Sequence, residues 1–170
     1  EVELPNPQYP IIPGHQILGE IVKLGKNQKN WAIGDRVGVS WLGYSCGACT
    51  YCDSMQENLC DSAQYTGYQI NGGFAEYCLA YADYCLAIPP NYIDLEAAPL
   101  LCAGLIGYRA YKKVQQCNRI GFYGFGSAAH ILIQIALSRG QAVYAFTRPE
   151  VHPAQAFALQ LGAAWAGSSE

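Results

Sequence analysis

The sequence predicts a mixed fold, an all-β domain followed by the first part of an α/β domain. Three observations carry this. Short strand-like runs bounded by Gly and Pro recur up to Pro89-Pro90, the texture changes at Asp94, and from Arg119 apolar strand and helix patterns alternate. The domains are placed at residues 1–93 and 94–170.

Residues Glu1 to Pro13 carry Pro5, Pro7, Pro10 and Pro13 and read as an extended lead-in, turned by Pro13-Gly14-His15. Strands are expected at Ile17 to Val22, with a turn at Leu24 to Asn27, and at Arg36 to Ser40, opened by Gly34-Asp35. A cysteine-rich lobe follows, then Gly72-Gly73, a strand at Phe74 to Ala80 and a shorter one at Tyr84 to Ile88. Asp94 is expected to cap a helical turn. From Pro99 to Lys112, Leu101, Leu105 and Tyr108 recur at helical spacing and should face a core. Arg119 to Tyr123 reads as a buried strand. The next helix carries an apolar stripe of Ala128, Ala129, Leu132, Ile133, Ile135 and Ala136, and Gly140 stops it. Gln141 to Thr147 is a second strand, Pro153 to Leu161 a helix ended by Gly162, and Ala163 to Ala166 the start of a third strand. This is a βαβαβ unit that stops early, and Met55 is the only methionine, so the chain reads as a fragment.

The most informative stretch is the lobe at 46–60. Cys46, Cys49, Cys52 and Cys60 follow the spacing C-x2-C-x2-C-x7-C. Short spacers make tight turns that aim successive thiolates at one point, which reads as a closed, structural zinc site. An iron-sulfur cluster remains compatible with the spacing, and disulfides remain a lesser alternative. Zinc binding in small modules supplies roughly 10 to 16 kcal/mol, as much as a typical domain's stability of about 5 to 15 kcal/mol. Without metal the lobe should be disordered. Cys78, Cys85 and Cys117 read as ordinary buried or half-buried thiols, and His130 and His152 as solvent-facing.

The turn Gly124-Phe125-Gly126-Ser127-Ala128-Ala129 has the form G-x-G-x-x-A after a strand and at the head of a helix, the context of a dinucleotide fingerprint in a Rossmann domain. Gly124 permits the tight turn, Gly126 lets backbone approach a pyrophosphate, and Ala129 lets helix pack on strand. An NAD site usually has Asp or Glu about 20 residues on. Here Thr147-Arg148 stands at the end of the second strand, so NADP is favoured, with Arg148 on the 2′-phosphate. NAD remains the alternative, Arg148 then being a solvated loop residue.

Other classes are set aside on composition. Ten Lys and Arg scattered in a chain of net charge -3 argue against nucleic acid. The longest apolar run, Ala97 to Tyr108, is too short for a membrane span, no signal peptide opens the chain, and eight cysteines fit a reducing, cytoplasmic setting. Taken alone, His15 is a turn residue and Cys102 an inert thiol.

Gly14-His15-Gln16-x-x-Gly19-Glu20, Gly34-Asp35-Arg36-Val37, the cysteine lobe, Ala98 to Gly104 and the glycine turn occur in the order seen in zinc-dependent medium-chain alcohol dehydrogenases. The run Cys102 to Arg109 most resembles their bacterial cinnamyl-alcohol-dehydrogenase-like branch. The resemblance implies a GroES-like β domain before a Rossmann domain. It also makes His15 and Cys102 two of three catalytic-zinc ligands and the four lobe cysteines the structural ones. The implied reaction is Lewis-acid-assisted hydride transfer between a primary alcohol or aldehyde and NADP. Trp41 and Tyr44 are expected as substrate walls, with core packing explaining them about as well. The third ligand should lie upstream of Glu1, so these residues alone should be inactive, and the whole protein is expected to be a homo-oligomer. The family has Glu where this chain has Gln16, which removes a negative charge near the metal and predicts weakened catalysis. That departure keeps open a zinc-stabilised nucleotide-binding or regulatory relative without catalysis. A quinone-reductase-type relative is the other alternative, and His15 with Cys102 counts against it.

Overall fold

The computed structural model describes residues 7–169. They divide into two compact units that part between Cys102 and Ala103.

In the first unit, β1 (Ile17–Glu20) pairs antiparallel with β2 (Arg36–Val39), aligning Ile17 with Val39 and Glu20 with Arg36. After β3 (Leu42–Tyr44) the lobe folds as a short helix, α1 (Thr50–Asp53), and a 3-10 turn at Glu57–Leu59. The chain then returns through β4 (Gln64–Tyr65), antiparallel to β3. The β3–β4 pair is not among the expected strands, because three-residue and two-residue segments are too short to show alternation. A 3-10 turn at Ala82–Tyr84 leads into β5 (Cys85–Ala87), which pairs with the other side of β2.

The strand expected at Phe74 to Ala80 is not formed among the described residues. The Gly73 and Phe74 amides turn away to the Gly14 and Pro13 carbonyls at 3.1 and 3.0 Å. Phe74, Tyr77 and Leu79 are 79%, 72% and 88% exposed. Apolar β-formers alternate there, but a strand also needs a neighbour to complete its ladder.

Helix α2 (Asp94–Ala97) runs into a 3-10 turn at Ala98–Leu101. Ile93, not Asp94, is the N-cap residue. Asp94 instead accepts from Arg36 Nη2 at 2.6 Å, while Arg36 Nη1 donates to the Pro89 carbonyl, so the aspartate braces β2 rather than the helix end.

The second unit begins with α3 (Ala103–Tyr111) and continues as β6 (Arg119–Tyr123), α4 (Ser127–Ser138), β7 (Ala142–Thr147), α5 (His152–Gln160) and β8 (Trp165–Ser168). The strands form one parallel sheet in the order β6-β7-β8, with Ile120 beside Val143 and Thr147 beside Ser168. Its core gathers Tyr111, Ile120, Leu132, Ile133, Val143, Ala145 and Ala158. Of the expected stripe of α4, Ala129, Leu132, Ile133 and Ala136 are buried, and Ala128 and Ile135 are half-buried. Gly107 admits α4 closely, since a Cβ there would sit 3.1 Å from Leu132. Leu105 and Tyr108 are 46% and 41% exposed, against expectation, and only Leu101 of that set is buried. The chain changes helix type at Cys102, so the three residues do not share one helical face.

Gly72 sits so near the first unit's entry loop that a Cβ there would lie 2.1 Å from the Gly14 carbonyl oxygen. Substituting Gly72→Ala should lower unfolding stability by about 1–3 kcal/mol, read as an earlier urea midpoint for this unit.

Candidate functional site

Two sulfur-bearing sites form in the first unit. In the lobe, all four thiol sulfurs of Cys46, Cys49, Cys52 and Cys60 lie within 4.8 Å of one another. The Cys49–Cys52 and Cys46–Cys52 sulfur separations are 3.6 and 3.9 Å. Four thiolates on one tetrahedral ion with metal–sulfur bonds of about 2.3 Å would sit roughly 3.8 Å apart, so the donor set fits a single ion of that size. All eight cysteines are free, and these lobe sulfurs stand farther apart than a disulfide bond. Gly47 takes φ 69°, a turn that brings Cys46 back toward α1, and Cys60 is buried at the lobe's far end.

Electrostatics differ among the four. Cys52 is lowered to about 6, chiefly by its hydrogen bond with Ser45. Cys46 is lowered, first by the Ala48 amide and then by its bond with Cys60. For Cys49 the largest single influence, the Cys52 amide, lowers it, but burial and its bonds to Cys52 and Cys46 together raise it to about 11.

The second site joins distant positions. His15 Nε2 lies 3.1 Å from Cys102 Sγ across 87 residues of sequence. The His15 side is set by backbone packing. Gly14 has φ +98°, and both Gly67 and Gly72 approach it so closely that a Cβ on either would clash with its backbone. The Cys102 side is set by Gly38 of β2, where a Cβ would lie 2.6 Å from Leu101. That hollow seats Leu101, and Cys102 is the next residue. Trp41 stands edge-on to the imidazole at 4.9 Å and stacks on Tyr65 at 4.8 Å. Tyr44, expected beside it, instead packs on Tyr81 at 5.2 Å. Gln16 is exposed. Among the described residues, the cysteine quartet is the only group of three or more His, Cys, Asp or Glu placed to share an ion.

In the second unit, Gly124 takes φ +89° and its amide donates to the Phe146 carbonyl at 2.7 Å, turning the chain from β6 into α4. Gly126, Ser127 and Ala128 follow, with Gly126 as the N-cap of a twelve-residue helix that has no acidic residue in its first turn. A Cβ on Gly126 would meet only open space, so the backbone there is approachable. Phe125 packs into the core and Ala129 is buried. Such a helix end favours an anion through its free amides and dipole. Thr147 is buried, its hydroxyl donating to the Arg148 carbonyl and accepting from Gln155 Nε2, while Arg148 is exposed.

Three lesser expectations change. Cys78 and Cys117 are exposed. His130 is half-buried edge-on against Phe157 at 4.8 Å, because α5 covers that side of α4. His152 is exposed as expected. The residues that sequence reasoning misses are Ser45 and Tyr84, which bond to each other beside Cys52. Ser45 is signalled only by adjacency to Cys46, and Tyr84, 39 positions away, by nothing local.

Comparison with known proteins agrees with both units. The alcohol dehydrogenase GroES-like domain family matches residues 1–90, and the chain belongs to this family. It is 43% identical over 171 residues to the Mycobacterium tuberculosis protein named "Probable alcohol dehydrogenase AdhA", covering 96% of this chain and 49% of that one. The cinnamyl alcohol dehydrogenase structure from Sorghum bicolor superposes with a TM-score of 0.85 at 28% identity, covering 95% of this chain and 48% of that one. The enzyme abbreviated CAD from Helicobacter pylori, complexed with NADP(H), superposes with a TM-score of 0.85 at 30% identity, covering 96% and 50%. The chain therefore spans about half the length of the relatives it matches. Its fold is a GroES-like domain followed by part of a Rossmann domain, as in medium-chain alcohol dehydrogenases. No described helix is long and apolar enough to cross a membrane.

In the metal-free chain the lobe should lose its ordered arrangement, so Cys46, Cys49, Cys52 and Cys60 should be alkylated at similar rates, whereas added zinc should protect all four. Peptide mapping after brief iodoacetamide treatment with and without zinc checks this.

Proposed function

We propose that residues 1–93 are the metal-binding domain, joined at its site by Cys102, and residues 94–170 the linking helices and the first part of the cofactor domain, of a zinc-dependent alcohol dehydrogenase acting between a primary alcohol and NADP(H). The observation that carries this is the 3.1 Å approach of His15 Nε2 to Cys102 Sγ. An imidazole and a thiol sharing zinc would stand roughly 3.5 Å apart, and nitrogen with sulfur is a donor set suited to that ion. Zinc held there supplies a Lewis acid for the substrate oxygen. His15 and Cys102 would hold it, and Trp41 fixes the imidazole plane while offering an apolar wall to an alcohol. Gln16 places a neutral amide beside the ligand histidine. Two protein donors are fewer than the usual three, so the 170 residues alone should turn over nothing.

The lobe is assigned a structural zinc, because four protein thiolates leave no position for substrate. An iron-sulfur cluster spreads its thiolates over several irons, and the tight sulfur packing favours one ion instead. Gly124 to Ala129 would receive the pyrophosphate. Arg148, exposed just past the end of β7, where an NAD site usually carries a carboxylate, would receive the 2′-phosphate. The second reading, a nucleotide-binding or regulatory relative, is favoured by Gln16 alone. NADPH binding without alcohol oxidation in the whole protein would separate it.

The chain should retain close to one zinc after dialysis against a weak chelator, and His15→Ala should leave that figure unchanged while abolishing alcohol oxidation in the whole protein. Neither zinc nor iron on the chain would overturn the metal reading. In the whole protein, Arg148→Ala should lower kcat/KM for NADP about 10- to 100-fold, the loss of one charge-assisted hydrogen bond, with little change for NAD. Equal loss with both cofactors would remove Arg148 from the site.

A further inference from the structure

Ser45 is buried between the lobe and the turn that precedes β5. Its amide donates to Tyr84 Oη at 2.8 Å, and its own hydroxyl lies 2.7 Å from the same oxygen. On the other side, Ser45 Oγ lies 3.4 Å from Cys52 Sγ. Three polar atoms thus form one chain of contacts, Tyr84 Oη, Ser45 Oγ and Cys52 Sγ.

The proton directions follow from chemistry. A metal-bound thiolate carries no hydrogen and can only accept. The Ser45 hydroxyl must then donate to Cys52 Sγ, which frees its oxygen to accept from the Tyr84 hydroxyl. Tyr84 Oη in turn accepts the Ser45 amide, so both hydroxyl protons and the amide proton have an acceptor. In the reverse direction Ser45 would donate to Tyr84, and the sulfur would lose its donor. We infer that Ser45 and Tyr84 are positioning residues for the metal lobe, forming a hydroxyl relay that fixes the Cys52 thiolate, tunes its donor strength and fastens the lobe to the strand β5. This rests on the reading of the cysteine quartet as a zinc site.

The relay acts by two routes. A hydrogen bond to a ligating sulfur lowers the energy of its lone pair and holds its orientation, as outer partners do for other metal ligands. The bond to Tyr84 also links the lobe to a residue directly ahead of β5, which is paired to β2. Movement of the lobe against this sheet would have to break that bond.

The test uses the 170-residue chain loaded with Co(II) or Zn(II). Ser45→Ala should shift the thiolate-to-cobalt charge-transfer band to longer wavelength and weaken zinc binding about 10- to 100-fold in a chelator competition. Tyr84→Phe should move both readouts the same way by less, and Ser45→Thr, which keeps the hydroxyl, should restore them. A change in packing alone would not shift the cobalt band in this order. Should Ser45→Ala not fold, Tyr84→Phe carries the test. An unchanged band and affinity in these variants, with one metal on the parent chain, would overturn the relay alone. A parent chain that holds no metal would overturn the zinc reading and the relay with it.

Discussion

The contact on which the His15 site depends is backbone against backbone. Gly67 and Gly72 press on Gly14, and Gly14 alone among the three residues of its turn can take φ +98°. The Gly72 amide donates to Ile12 and the Gly73 amide to Gly14, so hydrogen bonds hold the approach that the missing side chains permit. His15 leaves this knot with little freedom. Its partner is placed by the same device at a different point, since Gly38 makes room for Leu101 and Cys102 follows it. Glycine lowers strand stability by roughly 0.5–1 kcal/mol relative to alanine, and here that cost accompanies the positioning of two donors from opposite ends of the unit.

The cysteine quartet is built on the opposite plan. Its four donors fall within fifteen positions of sequence, so closing the site orders a short loop and little else. A long-range tie reaches it through Ser45 to Tyr84. A local site can form before the sheet is complete, whereas the His15 and Cys102 pair can exist only after β1, β2 and the turn at Ala98–Leu101 have packed. On the proposed zinc reading, a metal bound in the lobe would therefore report local order and not the finished domain.

This difference explains what is legible in the sequence. The quartet and the glycine turn are readable from spacing, because both are local motifs whose geometry is fixed by a few residues. Of the parallel strands, β7 is readable as an apolar run, whereas β6, expected to be buried, buries only Ile120, and β8 lies two residues beyond the expected Ala163 to Ala166. His15 and Cys102 carry no signal of their own, and only the resemblance joins them, since 87 residues separate them. Asp94 reads as a cap because propensity considers neighbours in sequence, while Arg36 reaches it from 58 positions away. Phe74 to Ala80 has the composition of a strand, yet composition cannot supply a partner. Tyr84 is invisible for the same reason as His15.

At the nucleotide turn, fixed and free parts are separated along β7. Thr147 is buried, and its hydroxyl is engaged on both sides by Gln155 and the Arg148 carbonyl. Its polar atom is already satisfied inside the fold, where it holds the backbone from which the next residue projects. Arg148 is the exposed member of the pair and the one that carries a charge. The twelve-residue helix α4 begins with an N-terminus that no acidic side chain of its first turn compensates. Both features favour anions, and they do so by different means. The helix end binds through amides that any dinucleotide pyrophosphate could meet, so it confers affinity without choice between cofactors. On the proposed NADP reading, discrimination between a ribose hydroxyl and a ribose phosphate would come from a group that only the phosphate satisfies, and of Thr147 and Arg148 the arginine is the one with that property.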